Sequence, residues 1–379
     1  MARKPPEGQG ARTRPSKVAR ESPAALRAPG ADAVDDSTDR PAGYLAPGTA
    51  RPPTLETVAA LAGVSRATAS RVVNHLDRVA PHVVDSVNAA IEELGYVPNQ
   101  AARSLARRRT AVVAVVIPES AERLFADPFL AAVIQGAAAR LASTDYTLNL
   151  AIGSNESEKS RRYLTGGNAD GVLVVSQHEG DLPLTQLGLA VPIVFAGRPA
   201  VDFGERGHFV DVDNHGATIE AVRHLIDGGR TRIATIAGAQ DLRAGRDRLA
   251  GWHDALVGAG LSSDRVAYGD FTPESGTVAM ERLLAGPALD AVFAANDQMA
   301  FGAVSALTRA GRAVPDDVAV VGFDDDQFSR AARPTITTVH QPSHEMGEVL
   351  AQHLLALMAG ESVEHVTLLP THLIVRESS

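Results

Sequence analysis

The sequence predicts an α/β protein: a small all-helical module in front, followed by two lobes of parallel sheet flanked by helices. Three observations carry this. From residue 111 onward, short apolar runs alternate with amphipathic stretches of helical period, the pattern of β-strands joined by helical crossovers. That region holds 269 residues, long for one sheet, so two lobes are expected. Ahead of it, two short helical patterns meet at a glycine.

Residues 1–53 are rich in Pro, Ala, Arg, Gly and Asp, with almost no large apolar side chains. Such a segment buries too little surface to offset its ordering entropy and reads as a disordered tail. Thr54 then stands as an N-cap for a helix carrying Leu55, Val58, Ala59 and Leu61/Ala62 on one face. Gly63 follows, where a tight turn uses positive φ. Ser65 caps a second helix with Ala69, Val72 and Val73 inward, and a third runs from about Pro81 to Leu94. Two short helices joined by a glycine turn form a helix-turn-helix pattern.

That geometry places the N-terminal side chains of the second helix at base edges in the major groove. Arg66, Ala67 and Thr68 occupy those positions, with Ser70 and Arg71 one turn on. Arginine donates two hydrogen bonds to guanine, whereas alanine offers only apolar contact. Ser65 and Asn74 suit phosphate contacts that set register. From spacing alone an ordinary helical hairpin with a solvated arginine face also stands open. In 99–110, Asn99 caps a helix of about eight residues, too short to be stable alone. Leu105 has few apolar neighbours there, and Arg107 to Arg109 are basic. A leucine wedged into a minor-groove base step and a plain basic linker are both open readings.

In the body, strands are predicted at Ala111–Ile117, Thr147–Ala151, Gly171–Val175, Ile193–Phe195, Arg232–Ile236, Ala291–Ala294 and Val318–Val321. Helices are predicted over Phe129–Leu141, Gly216–Ile226, Asp247–Gly258, Ser275–Leu284, Met299–Ala310 and Glu345–Leu357. Open α/β sheets bind ligands at the carboxyl ends of their strands. Candidates for binding are therefore Asp127 and Phe129, Arg198, Asn296 with Asp297, and Asp324 to Asp326. Rings bind the apolar face of a sugar, while carboxylate, amide and guanidinium groups bind its hydroxyls. Helix capping explains Asp and Asn at such positions equally well.

These residues now carry a resemblance. Val58–Asn74, Gly95-Tyr96-Val97-Pro98-Asn99 and Ala102-Arg103-Ser104-Leu105 resemble the DNA-binding headpiece and hinge helix of the LacI/GalR family of bacterial transcriptional repressors. The runs Arg248-Leu249-Ala250-Gly251-Trp252, Ala295-Asn296-Asp297-Gln298-Met299-Ala300, Val321-Gly322-Phe323-Asp324-Asp325 and Leu373-Ile374-Val375-Arg376-Glu377 resemble the periplasmic-binding-protein-like core of that family. The resemblance implies base reading by Arg66, Ala67 and Arg71, and insertion of Leu105 at the operator centre. Family members more often carry a polar residue at Ala67. The DNA-binding set is then Ser65, Arg66, Ala67, Thr68, Ser70, Arg71, Asn74, Asn99, Arg103 and Leu105.

Carried over in the same way, Arg248, Asn296 and Asp324 hold an effector's hydroxyls, Phe271 stacks on it, Gln341 lies at the cleft and Phe129 forms its wall. The expected organisation is a tail (1–53), a headpiece (54–98), a hinge (99–110) and a two-lobed core (111–379). The first lobe takes about 111–211 and 343–370, the second about 212–342 and 371–379. The function implied is a sequence-specific regulator of transcription, a repressor in most members. Its partners are double-stranded operator DNA, a small-molecule effector of sugar type and a second copy of itself. The chain stops at Ser379, before a tetramer-forming heptad would fit, so a homodimer is expected.

Composition excludes other classes. There is no cysteine, so disulfides, thiolate nucleophiles and Cys-based zinc sites drop out. No Gly-x-Ser-x-Gly elbow occurs, and the only lysines, Lys4, Lys17 and Lys159, leave no phosphate-binding loop. Pro342 argues against one regular helix through His340 and His344, so no metal is expected, nor any cofactor. The longest apolar run, Ala111–Ile117, is far short of a membrane span. No apolar segment follows the first residues, so a cytoplasmic protein is expected. The net charge of −9 resolves into +3 for 1–53, +2 for 54–110 and −14 for 111–379. A basic front on an acidic body fits a polyanion meeting only the front, although so small an imbalance also arises by chance.

Overall fold

The computed structural model describes residues 52–74, 79–97, 109–153, 158–180, 191–199, 203–204 and 207–379. The expected tail to residue 51, and Asn99, Arg103 and Leu105 of the expected hinge, lie outside the described residues. The chain divides into two compact units, residues 1–96 and 97–379.

The first unit holds three helices: α1 (Leu55–Leu61), α2 (Arg66–Val73) and α3 (Pro81–Leu94). Thr54 and Thr57 cap α1 reciprocally, each side chain bonding the other's backbone N–H. Gly63, at φ 65°, turns the chain into α2. Val58, Val72, Val87 and Ala90 bury together, with Ile91, Leu94 and Tyr96 packed around them. These helices agree with the sequence reading, because caps and periodicity there point the same way.

The second unit contains two six-stranded sheets. The first is built from β1 (Val112–Ile117), β2 (Thr147–Ile152), β3 (Gly171–Val175), β4 (Ile193–Ala196), β5 (His208–Val212) and β11 (Val366–Leu369). Its order is β11-β5-β4-β3-β1-β2 and every pair is parallel. The second comprises β6 (Ile233–Ala237), β7 (Val266–Tyr268), β8 (Ala291–Ala294), β9 (Ala319–Asp324), β10 (Thr337–His340) and β12 (His372–Ile374), in the order β12-β10-β9-β8-β6-β7. Only β12 runs antiparallel to its neighbour. Central strands such as β1 and β3 are covered on both faces, so they read as unbroken Val/Ile/Leu runs.

The crossovers supply the remaining helices: α4 (Ala121–Ala126), α5 (Pro128–Leu141), α6 (Glu158–Thr165), α7 (Asn214–Asp227), α8 (Arg243–Gly258), α9 (Pro273–Leu284), α10 (Asp297–Arg309), α11 (Gln327–Ala331) and α12 (Ser343–Ala359). Among the described residues no helix is long and apolar enough to cross a membrane. The chain passes between the sheets three times, after β5, after β10 and between β11 and β12. The carboxyl ends of the parallel strands therefore meet at these connections.

Several predicted boundaries move. The first strand begins at Val112, since Ala111 sits at φ 56°. The strand expected over Val318–Val321 is β9, which runs on to Asp324 and so carries that carboxyl as its last residue. Helix α8 starts at Arg243 rather than Asp247. Strands β5, β7, β10, β11 and β12 were not expected, because they are short or interrupted by His, Asp and Thr.

Two glycines set how α5 and α12 pack. A methyl at Gly136 would sit 1.9 Å from the His344 carbonyl oxygen, and one at Gly347 2.0 Å from that of Val133. The helices touch backbone to backbone there. Gly136→Ala forces them apart and should lower stability by about 1–3 kcal/mol, measurable by urea denaturation; an unchanged midpoint would contradict this packing.

Candidate functional site

In the first unit, α2 presents its N-terminal turn outward. Arg66, Ala67 and Arg71 are exposed and Thr68 and Ser70 half-buried. The Arg66 guanidinium pairs with Glu56 of α1 at 2.5 Å, an exposed contact that contributes little by itself. Ser65 spends its hydroxyl on the cap, accepting from the Thr68 N–H at 3.1 Å. Asn74 ends the helix and donates its amide to the Ser70 carbonyl at 2.8 Å.

In the second unit a cleft opens between the carboxyl ends of the two sheets. The eight side chains that the sequence singled out, Asp127, Phe129, Arg198, Arg248, Phe271, Asn296, Asp324 and Gln341, all line it. They come from elements far apart in the chain: the α4–α5 junction, the ends of β4, β7, β8 and β9, helix α8 and the crossover after β10.

Arg248 organises the floor. It is 4% exposed and every nitrogen has a partner. Nε donates to Asn214 Oδ1 at 2.8 Å, Nη1 to the Ala295 carbonyl at 2.6 Å and to Asp324 Oδ1 at 3.3 Å, and Nη2 to Gln341 Oε1 at 2.8 Å. Its guanidinium lies over the Phe323 ring, 3.5 Å from the centroid, an added cation–π attraction. Burial lowers its pKa against the pull of Asp324 and Asp211.

Carboxyl groups surround this cation. Burial pushes Asp324 up to about 7, opposed by Arg248 and reinforced by Asp326 and Asp127. Asp326 is raised to about 6, chiefly by burial, and Asp127 and Asp211 are raised for the same reason. Asp324 also sits at φ 108° and Phe271 at φ 70°, conformations that non-glycine residues adopt only when the surroundings enforce them. Asn296 helps enforce the second: its Nδ2 donates to the Phe271 carbonyl at 3.0 Å while its Oδ1 caps α10 by accepting from the Met299 N–H at 2.9 Å. Gly238 leaves room for the Phe271 ring, since a methyl there would lie 2.1 Å from Cζ. Asn296 and Asp127 therefore cap helices and line the cleft at once; Asp127 accepts from the Phe129 N–H at 2.9 Å. Arg198 is exposed, with its N–H bonded to Asp211 at 2.9 Å.

The sequence reading missed Arg123, Ser176, Gln177, Asp211, Asn214 and Arg243, which also line the cleft. Asp211 and Asn214 flank the end of β5, a strand it did not recognise. Ser176 and Gln177 directly follow β3, which it did recognise, so the rule of polar residues after strands would have found them.

One rim of the cleft is closed by contact between the lobes. His178 bonds Glu119 through Nε2 and Asp241 through Nδ1, both at 2.8 Å. Those carboxylates hold its pKa up at about 9, the Glu119 hydrogen bond being the largest cause. Glu179 pairs with Arg246 at 2.7 Å. Among the described residues no cluster of three or more His, Cys, Asp or Glu is arranged to hold a metal ion.

Known proteins resemble this chain along most of its described length. The model of bacterial regulatory proteins, lacI family, matches residues 54–99, and that of the periplasmic binding protein-like domain matches 222–379. The chain is 48% identical over 336 residues to the HTH-type transcriptional regulator CelR of Thermobifida fusca, spanning 86% of this chain and 98% of that protein. It is 33% identical over 334 residues to the ribose operon repressor of Escherichia coli strain K12, spanning 86% and 99%. Among solved structures, a CelR–cellobiose complex is 45% identical with a TM-score of 0.67, covering 86% of this chain and 100% of that one. The lac repressor dimer bound to operator and the anti-inducer ONPF is 28% identical with a TM-score of 0.77, covering 86% and 99%.

Removing the central cation takes the guanidinium donors from Asn214 Oδ1, Gln341 Oε1, the Ala295 carbonyl and Asp324 Oδ1 in a buried place. Arg248→Met is thus expected to destabilise the second unit by about 3–5 kcal/mol, read by thermal or chemical denaturation. A loss under about 1 kcal/mol would show that the network is not structural.

Proposed function

The chain belongs to the lacI family of bacterial regulatory proteins, a family of transcriptional regulators and not of enzymes, and on that premise we propose how its parts divide the work. Residues 54–98 read operator DNA. Arg66, Ala67, Thr68, Ser70 and Arg71 face the bases and Ser65 and Asn74 the phosphates. Residues 99–110, with Asn99, Arg103 and Leu105, form the hinge that settles in the minor groove. Residues 111–379 dimerise and bind an effector between the lobes. The protein acts in the cytoplasm, where its operator is.

The effector is a sugar, and a β-linked glucose disaccharide is the first choice because a relative 45% identical is known as a complex with cellobiose. The observation that carries this reading is convergence: five side chains picked from strand ends, Asp127, Phe129, Arg198, Asn296 and Asp324, and three implied by the family resemblance, Arg248, Phe271 and Gln341, line a single cleft. That cleft offers what a sugar requires. Phe129 and Phe271 present apolar faces, and Asp127, Asp211, Asp324 and Arg198 present groups for hydroxyls. Binding favours one relation of the lobes and so shifts operator affinity, with a coupling of about 1–3 kcal/mol.

The test is selection of operator sites from randomised duplexes, followed by gel shift with and without cellobiose. A pseudo-palindromic site whose affinity changes with the sugar is the expected result; no site preference at all would refute the reading. Arg66→Ala should relax base preference at one position per half-site by about 1–3 kcal/mol, whereas an equal loss on every sequence would remove its reading role.

Effector affinity should also depend on pH. A hydroxyl donating to Asp324 favours the ionised carboxylate. With a pKa of about 7, Asp324 is mostly neutral at pH 6 and mostly ionised at pH 8. Titration calorimetry should then give about tenfold tighter binding at pH 8 than at pH 6. A flat profile would mean that Asp324 does not accept from the ligand.

A further inference from the structure

One acidic side chain stands beside the helix assigned to base reading. Glu56 lies in the first turn of α1, and its carboxylate meets the guanidinium of Arg66, the first residue of α2, at 2.5 Å. The other acids of the first unit's described residues, Asp85, Glu92 and Glu93, lie on α3. In a helix-turn-helix the first helix crosses the phosphate backbone, and a carboxylate there works against a polyanion. Glu56 therefore calls for a role other than phosphate contact.

The ion pair does little for folding, because both side chains are exposed. Its geometry is more telling. The carboxylate takes Arg66 at Nε, whereas the fork that donates to guanine N7 and O6 is built from the terminal Nη1 and Nη2. The contact and the reading of a base are therefore compatible. The carboxylate is itself anchored. Its own backbone N–H and the Thr54 hydroxyl, ahead of Arg66, hold its pKa below the usual carboxylate range. Thr54 is in turn locked to Thr57 by the reciprocal cap. Val58 of α1 and Val72 of α2 share one core, so anchor and arginine stand on one packed frame. An arginine at an exposed helix start has many rotamers to lose on binding. A carboxylate at Nε removes part of that freedom before DNA arrives, which is preorganisation.

We propose that Glu56 is a positioning residue for base recognition, holding Arg66 at Nε so that its terminal fork meets a guanine. This rests on the reading of Arg66 as a base-contacting residue. Glu56 exchanges overall affinity for discrimination. Its charge weakens binding to every duplex, while its hold on Arg66 sharpens the choice at one base pair.

The experiment uses the full chain and an operator obtained by site selection. The position whose preference Arg66→Ala relaxes is varied to all four bases. Each duplex, and one of random sequence, is titrated by fluorescence anisotropy with the wild type, Glu56→Ala, Arg66→Ala and the double variant. Alanine suits a helix, so Glu56→Ala should melt within about 2 °C of the wild type. The wild type should prefer guanine at that position. Glu56→Ala should lose about fivefold of this preference and bind the random duplex at least as tightly. In the Arg66→Ala background the same substitution should leave base preference unchanged, a readout that a merely structural role would not give. Full preference retained by Glu56→Ala overturns the proposal while base reading by Arg66 stands. So does an equal change on all four duplexes, a loss that persists in the Arg66→Ala background, or a wild-type preference for a base other than guanine. If Arg66→Ala relaxes preference at no position, base reading by Arg66 falls and the proposal with it.

Discussion

The second unit is organised around one buried guanidinium. Arg248 ties helix α8 to the start of α7 through Asn214, to the end of β8 through Ala295, to the end of β9 through Asp324 and to the crossover after β10 through Gln341. A charge taken out of water is tolerated only when its desolvation is offset by hydrogen bonds and an opposing charge. Each of those partners is therefore committed to one position. Gln341 lies on a connection between the sheets, so the same bond that holds the cleft floor also touches the path along which the lobes are joined.

The cleft stores electrostatic tension around that cation. Asp324, Asp326, Asp127 and Asp211 all hold their protons more tightly than ordinary carboxyls because burial disfavours their charged forms. Asp297 behaves likewise behind them, held by Thr338 at 2.6 Å. Hydroxyl donors in the cleft would relieve this by stabilising the anions, which is one source of differential affinity between lobe arrangements. The left-handed backbone at Phe271 and Asp324 belongs to the same economy: the surroundings hold a ring and a carboxyl where an unconstrained chain would not leave them.

Much of this was legible before any coordinates. Caps and periodicity placed the first three helices because Thr54, Ser65 and Gly63 each have one strong local role. Long apolar strands such as Gly171–Val175 were equally plain. What stayed hidden was short or mixed: β5 reads His-Phe-Val-Asp-Val, five residues broken by charge and imidazole, so neither Asp211 nor Asn214, a partner of Arg248, was singled out. Convergence of Asp127, Asn296 and Asp324 was guessed from their place near strand ends, but that Asn296 spends its amide on the Phe271 backbone is a tertiary fact with no sequence signal. Gln177 followed a recognised strand and was overlooked only because a glutamine in a polar run draws no attention.

The central claim is that occupancy of the cleft is read through the relation of the two lobes. The absence of cysteine makes a direct distance measurement clean. Spin labels at Glu122→Cys on α4 and Glu274→Cys on α9, in dimers with only one labelled protomer, report the span across the cleft by electron double resonance. Saturation with the sugar that changes operator affinity should shift that distance distribution. An identical distribution with and without the sugar, at concentrations that alter operator binding, would contradict the account.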